Sequence, residues 1–234
     1  MVNQVNELIN EKYLAQLNEK TARLKALEAQ INPHFLYNSL QAIATKAVLG
    51  GMKDISAMVE ALAYILRYCF KEGDRVKISA EIDHIRKYLM LQKVRYGERL
   101  SVEIEVEDST ATVMVPKLSI QTLVENSVQH ALEHMTENMA IRIVTGAKND
   151  LLVITVSDNG PGMTPEELER VNRGLDEGSW TAKPDERIGL KNLASRLRLM
   201  YGETACLKLK SAPGEGTEAT ITLPLGQETV DQSQ

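Results

Sequence analysis

The sequence predicts an α+β protein in two parts, an all-helical front and a mixed back. Three observations support this. Up to about residue 73 the apolar residues recur at helical spacing, and Gly50–Gly51 and Gly73 interrupt them. From Leu100 the period changes to two: Val102, Ile104 and Val106 alternate with Ser101, Glu103, Glu105 and Glu107, as in a half-buried strand. Beyond it, helix-like and strand-like stretches alternate, with hairpin-like strand neighbours, which reads as a layered α+β sandwich. The chain has 234 residues, 43% of them hydrophobic and 25% charged, which suits two small domains and excludes wholesale disorder. Aromatics make up only 4%, so the core must be built mainly from Leu, Ile, Val, Ala and Met.

The elements follow in order. Residues 1–31 read as a polar helix with a narrow seam of Tyr13, Leu17, Leu24, Leu27 and Ile31, a short coiled coil. Asn32–Pro33 is a helix start, with Asn as N-cap and Pro at the first helical position. That helix runs to about Leu49, and a second spans roughly Lys53 to Phe70. Both show apolar residues on more than one face, such as Leu36, Leu40, Ile43 and Val48, then Ile55, Val59 and Leu62. A two-helix hairpin cannot bury all of these alone, so pairing into a four-helix bundle is expected. Ser79 is the expected cap of a third helix, Ala80 to about Arg95. Pro116 is expected to open another, from Lys117 to His134. Strands at about 140–146 and 151–157 precede a Gly/Pro/Asp-rich stretch with one short helix after Thr164. A helix from Gly189 to Tyr201 and strands near 207–211 and 217–223 complete the pattern. The expected domains are therefore 1–31, 32–78, 79–225 and a tail at 226–234.

Several classes are disfavoured. The net charge of −5 argues against a nucleic-acid binder that works through bulk positive charge. Cys69 and Cys206 lie far apart and form no metal-type pair. No stretch approaches the roughly 18 apolar residues of a membrane span. The N-terminus has no basic region followed by an apolar block, so a soluble intracellular chain is expected.

Four segments suggest chemistry. Asp158-Asn159-Gly160-Pro161-Gly162 follows an apolar strand. A carboxylate at a strand end can accept from an exocyclic amino group, and the glycines let backbone approach a flat ring or a phosphate; the bland alternative is a plain turn. Gly189-Leu190-Lys191 opens a helix, where free N–H groups and the dipole favour an anion. Asn126 sits mid-helix among apolar neighbours, a poor place for Asn unless it has a polar task. Its carboxamide oxygen suits Mg²⁺ held mostly by phosphates and water. Finally, Gly214-Glu215-Gly216-Thr217 joins two strands.

In that order these segments resemble the N box, G1 box and G2 box of the GHKL (Bergerat) ATP-binding fold of histidine kinases. Upstream, Gln30-Ile31-Asn32-Pro33-His34-Phe35-Leu36-Tyr37-Asn38-Ser39-Leu40 resembles the phosphoacceptor segment of LytS/YehU-type sensor kinases. Tyr88-Leu89, Leu91-Gln92-Lys93 and Arg95-Tyr96 are similar to the connector that follows it there. The resemblance covers about Gln30 to Pro224. It implies a helical-hairpin dimerisation domain followed by a GHKL sandwich. It implies ATP and Mg²⁺ as ligands, His34 as phosphoacceptor, and nucleotide contacts from Asn126, Asp158, Gly160, Gly162, Gly189, Leu190, Lys191 and Thr217, with Asn126 on the metal. It further implies a homodimer that passes the phosphoryl group to an Asp of a response-regulator receiver domain. The chain would then be the cytoplasmic portion of a bacterial membrane sensor, attached through an upstream region. A neutral imidazole is independently a good phosphoryl acceptor near neutral pH.

Three positions depart from the family pattern. Arg187 stands where the G2 box often has Gly. Gln129 stands where the N box commonly has Lys. Thr122 stands where the water-activating and serine-phosphorylating relatives have Glu, which favours His as the nucleophile. Glu125, beside Asn126, points about 100° away. Residues from about Met163 to Arg187, with Trp180 among them, are expected to form a mobile lid. Two other functions are weighed. One is a degenerate GHKL scaffold without transfer. The other is a zinc peptidase, because His130-Ala131-Leu132-Glu133-His134 matches an inverted zincin motif.

Overall fold

The computed structural model describes residues 32–134, 138–177 and 188–226, without the side chains of 130–134 and 177. The helix expected over 1–31 and the tail beyond 226 lie outside the described residues. The described chain parts into two compact units, 32–70 and 71–226. Among the described residues no helix is long and apolar enough to cross a membrane.

The first unit is a hairpin of α1 (Pro33–Leu49) and α2 (Lys53–Phe70). Asn32 Oδ1 accepts from Phe35 N at 3.2 Å, and Pro33 occupies the first turn, as the sequence predicts. Gly51 turns the chain at φ 74°, a conformation that disfavours a side chain. Small residues make the helix contact: Ala44, Ala47, Ser56 and Ala61 are buried. Tyr68 is buried with them, while several other large apolar side chains point outward, with Phe35 67% and Leu49 82% exposed.

The second unit begins with β1 (Arg75–Lys77) and α3 (Ile78–Tyr96), followed by β2 (Leu100–Val106) and β3 (Met114–Pro116). Next come α4 (Ser119–His134), β4 (Met139–Lys148), β5 (Leu151–Asp158) and α5 (Pro165–Glu177). The unit ends with α6 (Ile188–Tyr201), β6 (Cys206–Ser211) and β7 (Thr217–Pro224). Five strands form one sheet in the order β2-β4-β5-β7-β6, and β1 pairs antiparallel with β3 apart from it. One face of the large sheet carries the core: Ile141 and Ile143, Ile154 and Val156, Leu207, and Ile221 are all buried. α4 packs on β4 and β5, while α5 and α6 pack on β6.

Four expectations need correction. Ser79 does not cap α3: the N-cap is Lys77 and no side chain caps it. The first N–H groups donate instead to loop carbonyls, Ile78 N to Val113 O and Ser79 N to Ala111 O, both at 3.0 Å. Pro116 does not open a helix but ends β3, and α4 begins at Ser119. The carboxylate of buried Glu81 caps α4, accepting from Leu118 N at 2.6 Å and Ile120 N at 3.1 Å. The strand neighbours are not all hairpins, because β2 joins β4 in parallel, Leu100 opposite Met139, with β3 and α4 in the crossover. Finally, the short helix expected after Thr164 is 13 residues long and packed, so the expected lid is not loop throughout. α5 takes up its first half, with Val171 and Leu175 buried. Asn172 bonds both backbone groups of Leu209 on edge strand β6, at 2.9 and 3.0 Å. Residues 178–187, with Trp180 and Arg187, lie outside the described residues.

The segment entering the second unit is tied down. Lys117 Nζ donates to Lys71 O at 2.6 Å, and Lys117 N to Asp74 O at 2.9 Å. The Arg75 guanidinium lies 5.3 Å from the Tyr201 ring centre and donates to its hydroxyl at 3.1 Å. β1 therefore belongs with the sheet unit, although it falls inside the segment 32–78 expected for the hairpin.

Candidate functional site

Asp158 ends β5 on the core face: its cross-strand partners are Ile141 and Thr217. Side chains alternate along a strand, so Asp158 follows Ile154 and Val156 in pointing toward the helices. Its Oδ1 accepts from Gly160 N at 2.9 Å and from Thr217 N at 3.2 Å. Oδ2 has no hydrogen-bond partner among the described residues, which leaves an acceptor on the helix-covered side of the sheet.

The surrounding loop is stitched to the turn between β6 and β7. Gly162 adopts φ 70°, and a Cβ there would lie 1.9 Å from Ala212 O. Gly216 adopts φ 79°, and its Cβ would lie 1.9 Å from Asp158 O. Glycine is thus required at both positions by close backbone approach. Gly214 N donates to Pro161 O at 2.7 Å, Met163 N to Ser211 Oγ at 2.9 Å, and Ser211 Oγ to Gly216 O at 2.6 Å. Gly160, Gly162 and Thr217 thus share one frame with Asp158, as the motif order suggests. Sequence reasoning missed Ser211, and it named Gly216 and Asn159 only as members of their motifs, with no role for either. Asn159 Oδ1 accepts from Ala140 N at 2.7 Å and its Nδ2 donates to Asn138 O at 2.9 Å, which fixes the loop to the start of β4. The available signal was the Asp-Asn-Gly run, in which Asn bonds nearby backbone.

The other candidates line α4. A Cβ on Gly189, in the first turn of α6, would stand 3.3 Å from Thr122 Cγ2. Asn126 is one turn beyond Thr122 on the same face and is half-buried. Past the end of α4, Asn138 meets the Asp158 loop through Asn159. Gly189 thus approaches α4 at Thr122, one turn before Asn126, and the Asp158 loop meets the chain at Asn138, beyond the end of that helix. This layout suits an elongated ligand with anions near the start of α6 and a flat base near Asp158. The Asn126 carboxamide, with no hydrogen-bond partner among the described residues, fits a hard cation between them. Lys191 is half-buried, while the Leu190 side chain is in the core at 1% exposure, leaving only its backbone to face a ligand. Gln129 is exposed.

Thr122 Oγ1 donates to Leu118 O at 2.7 Å within its own helix and supplies no base. Glu125 turns to the opposite flank, where it accepts from Gln121 Nε2 at 2.7 Å. There its charge adds to burial in pushing the Tyr88 hydroxyl up to about 12. His34 stands in the first turn of α1, exposed, with no acidic residue in that turn. Its Nδ1 lies 3.2 Å from Asn38 Nδ2. The backbone of His130 to His134 closes α4. Among the described residues no group of three His, Cys, Asp or Glu side chains could hold a metal ion.

Residues 22–100 match the family described as Histidine kinase. Residues 116–227 match the family described as Histidine kinase-, DNA gyrase B-, and HSP90-like ATPase. The chain is 40% identical to the sensor histidine kinase YesM of Bacillus subtilis over 232 residues, 98% of this chain and 38% of that protein. It is 32% identical to the sensor protein LytS of Enterococcus faecalis, over 91% of this chain and 36% of that one. With the sensor protein kinase HptS of Staphylococcus aureus it shares 29% identity, over 89% of this chain and 39% of that one. The chain thus spans well under half the length of these relatives. Two matched regions in sequence, one that holds His34 and one that holds Asn126, Asp158 and Gly189, place this chain in the histidine kinase family, with an ATPase domain of the GHKL type.

Proposed function

We propose that this chain is the catalytic portion of a sensor kinase that transfers the γ-phosphoryl group of ATP to His34 and then to an Asp of a receiver domain. The observation that supports it best is the Asp158 frame. One carboxylate oxygen is anchored by Gly160 and Thr217, and the other is left to accept from an adenine amino group. Gly189 at the start of α6 and Asn126 then face the phosphate end. Mg²⁺, when bound, neutralises charge on the transferring phosphoryl group, and Asn126 is the residue that would hold it. Phosphoryl transfer depends on positioning and charge neutralisation more than on covalent machinery, so a site without a water-activating carboxylate at Thr122 fits histidine as acceptor.

The exposed apolar residues of α1 and α2, among them Ile43, Leu49 and Leu62, support pairing of two hairpins into a four-helix bundle. Membrane attachment through an upstream sensor region, with this portion in the cytoplasm, goes with the same proposal. The test is labelling with [γ-³²P]ATP. Label that is acid-labile, base-stable and lost in His34→Gln, with ADP binding retained, supports the proposal. Nucleotide binding without any label overturns it in favour of a nucleotide-binding scaffold.

A further inference from the structure

Among the described residues no hydrogen bond or ion pair joins His34 to a carboxylate that would draw a proton from an attacking imidazole. The first turn of α1 holds no acidic residue, and the next side chain is Phe35, 67% exposed. What the structure does place beside the ring is Asn38, one turn along the same face, with its Nδ2 3.2 Å from His34 Nδ1. In this arrangement the amide donates to Nδ1, so the ring proton sits on Nε2. Neither nitrogen then offers a free lone pair. A half-turn of the carboxamide exchanges NH₂ for carbonyl oxygen at the same place. Both residues are exposed, so no packing opposes the turn. The oxygen then accepts from Nδ1–H, and Nε2 is left bare.

We propose that Asn38 is the positioning residue that arms His34: its carboxamide selects the imidazole tautomer, and the Nδ1–H form presents Nε2 as the nucleophile. This rests on His34 being the phosphoacceptor. It removes the need for a general base. In the armed form the Nε2 lone pair forms the bond to the γ-phosphorus, and the bond from that phosphorus to the bridging oxygen breaks. ADP leaves with the electron pair. No proton has to leave the attacking atom, because it carried none. The Nδ1 proton stays on the ring, held by Asn38 Oδ1, and is lost later to water. Selecting the attacking tautomer through a partner on the other ring nitrogen is a large lever, since an imidazole held in the wrong tautomer loses much of its activity.

The test uses the whole chain with ¹⁵N-labelled histidine, well above the imidazole titration range. The chain has four histidines, and the spectrum of His34→Gln identifies the His34 signals. The variants are Asn38→Leu, which keeps the size and removes both hydrogen-bonding groups, and Asn38→Asp, which offers only acceptors. In Asn38→Asp the His34 ring should move to the Nδ1–H form, with labelling from ATP retained. In Asn38→Leu the tautomer balance should change, and labelling should slow by roughly 10- to 100-fold with ADP affinity unaltered. A His34 tautomer that is the same in wild type and both variants overturns the proposal. So does Asn38→Leu labelling at the wild-type rate. If His34 is not the acceptor, wild type itself shows no His34-dependent label. The ¹⁵N spectra still report whether Asn38 governs the ring, so the two failures are distinguishable.

Discussion

Asp158 Oδ1 accepts from the N–H groups of Gly160 and Thr217, so substitutions at this residue should separate fold from ligand. Asp158→Asn keeps an acceptor for both backbone groups and replaces the free oxygen with an NH₂. In the proposed pose that NH₂ would face the adenine amino group, donor against donor. ATP and ADP should weaken together by about 1–3 kcal/mol, while the urea midpoint changes little. Asp158→Ala should lose both roles and shift the midpoint as well. Calorimetry with ADP and urea titrations of the two variants check this, and unchanged ADP binding in Asp158→Asn would remove Asp158 from the nucleotide set. At this scale the sequence was informative. Asp158, Gly160, Gly162 and Thr217 do share one frame, and Gly189 approaches α4 at Thr122, one turn before Asn126. Ser211 escaped notice, and Asn159 had no role beyond its motif, because a serine at a strand end and an asparagine in a turn are common everywhere. Their role comes from partners far off in sequence, such as Met163 for Ser211 and Ala140 for Asn159.

At the scale of elements, α4 depends on a side chain from another helix. Both oxygens of Glu81 are committed, to Leu118 N and Ile120 N, in a site closed to solvent. Glu81→Gln can accept only one of these bonds, and its NH₂ opposes the other N–H. The expected loss is about 1–3 kcal/mol of stability, read from urea unfolding, with nucleotide affinity lowered as the start of α4 loosens. One turn further along α3, His84 is 1% exposed, and burial first, then the charge of Lys117, pushes its pKa from 6.5 down to about 4. Between those values the unfolded chain binds a proton that the folded chain refuses. Stability present above pH 6.5 should therefore fall as pH drops toward 4, by about 3 kcal/mol in all. His84→Leu should flatten that part of the curve, measured as urea midpoints from pH 7.5 to 4.5. An identical slope in wild type and variant would exclude His84 as the source. Helix and strand periods gave most elements here to within a few residues. Where they failed, a tertiary partner had replaced the local signal. Loop carbonyls took the place of a Ser79 cap and Glu81 capped α4, while the short helix expected after Thr164 is longer than expected and packs through Leu168, Val171 and Leu175.

For the molecule as a whole, the division into 32–70 and 71–226 gives two designs for the isolated second unit. A fragment beginning at residue 71 keeps β1, the Arg75–Tyr201 contact and the Lys71 carbonyl that receives Lys117. One beginning at residue 79 loses all three and leaves the nine-tenths-buried Lys117 ammonium without that acceptor. The first should unfold in one cooperative step and bind ADP. The second should be less stable by at least about 1–3 kcal/mol. Equal thermal midpoints for the two would show that β1 contributes nothing to the unit. The boundary was hard to see in sequence because β1 and β3 have three residues each and pair across nearly forty positions, too short for any period to register.

The strand order has a consequence for synthesis on the ribosome. β7 lies between β5 and β6, yet it is made after both, and β2 must wait for β4 before it has a parallel neighbour. A nascent chain stopped between Ser211 and Thr217 holds β5 and β6 with a gap where their shared neighbour belongs. The hairpin at 33–70, whose contacts are local, can form as it emerges. The sheet unit cannot close until the polypeptide through Pro224 has cleared the exit tunnel. During that interval the apolar faces of β4 and β5 stand uncovered, so chaperone occupancy should peak on arrested chains that end between β5 and β7 and fall once β7 is out.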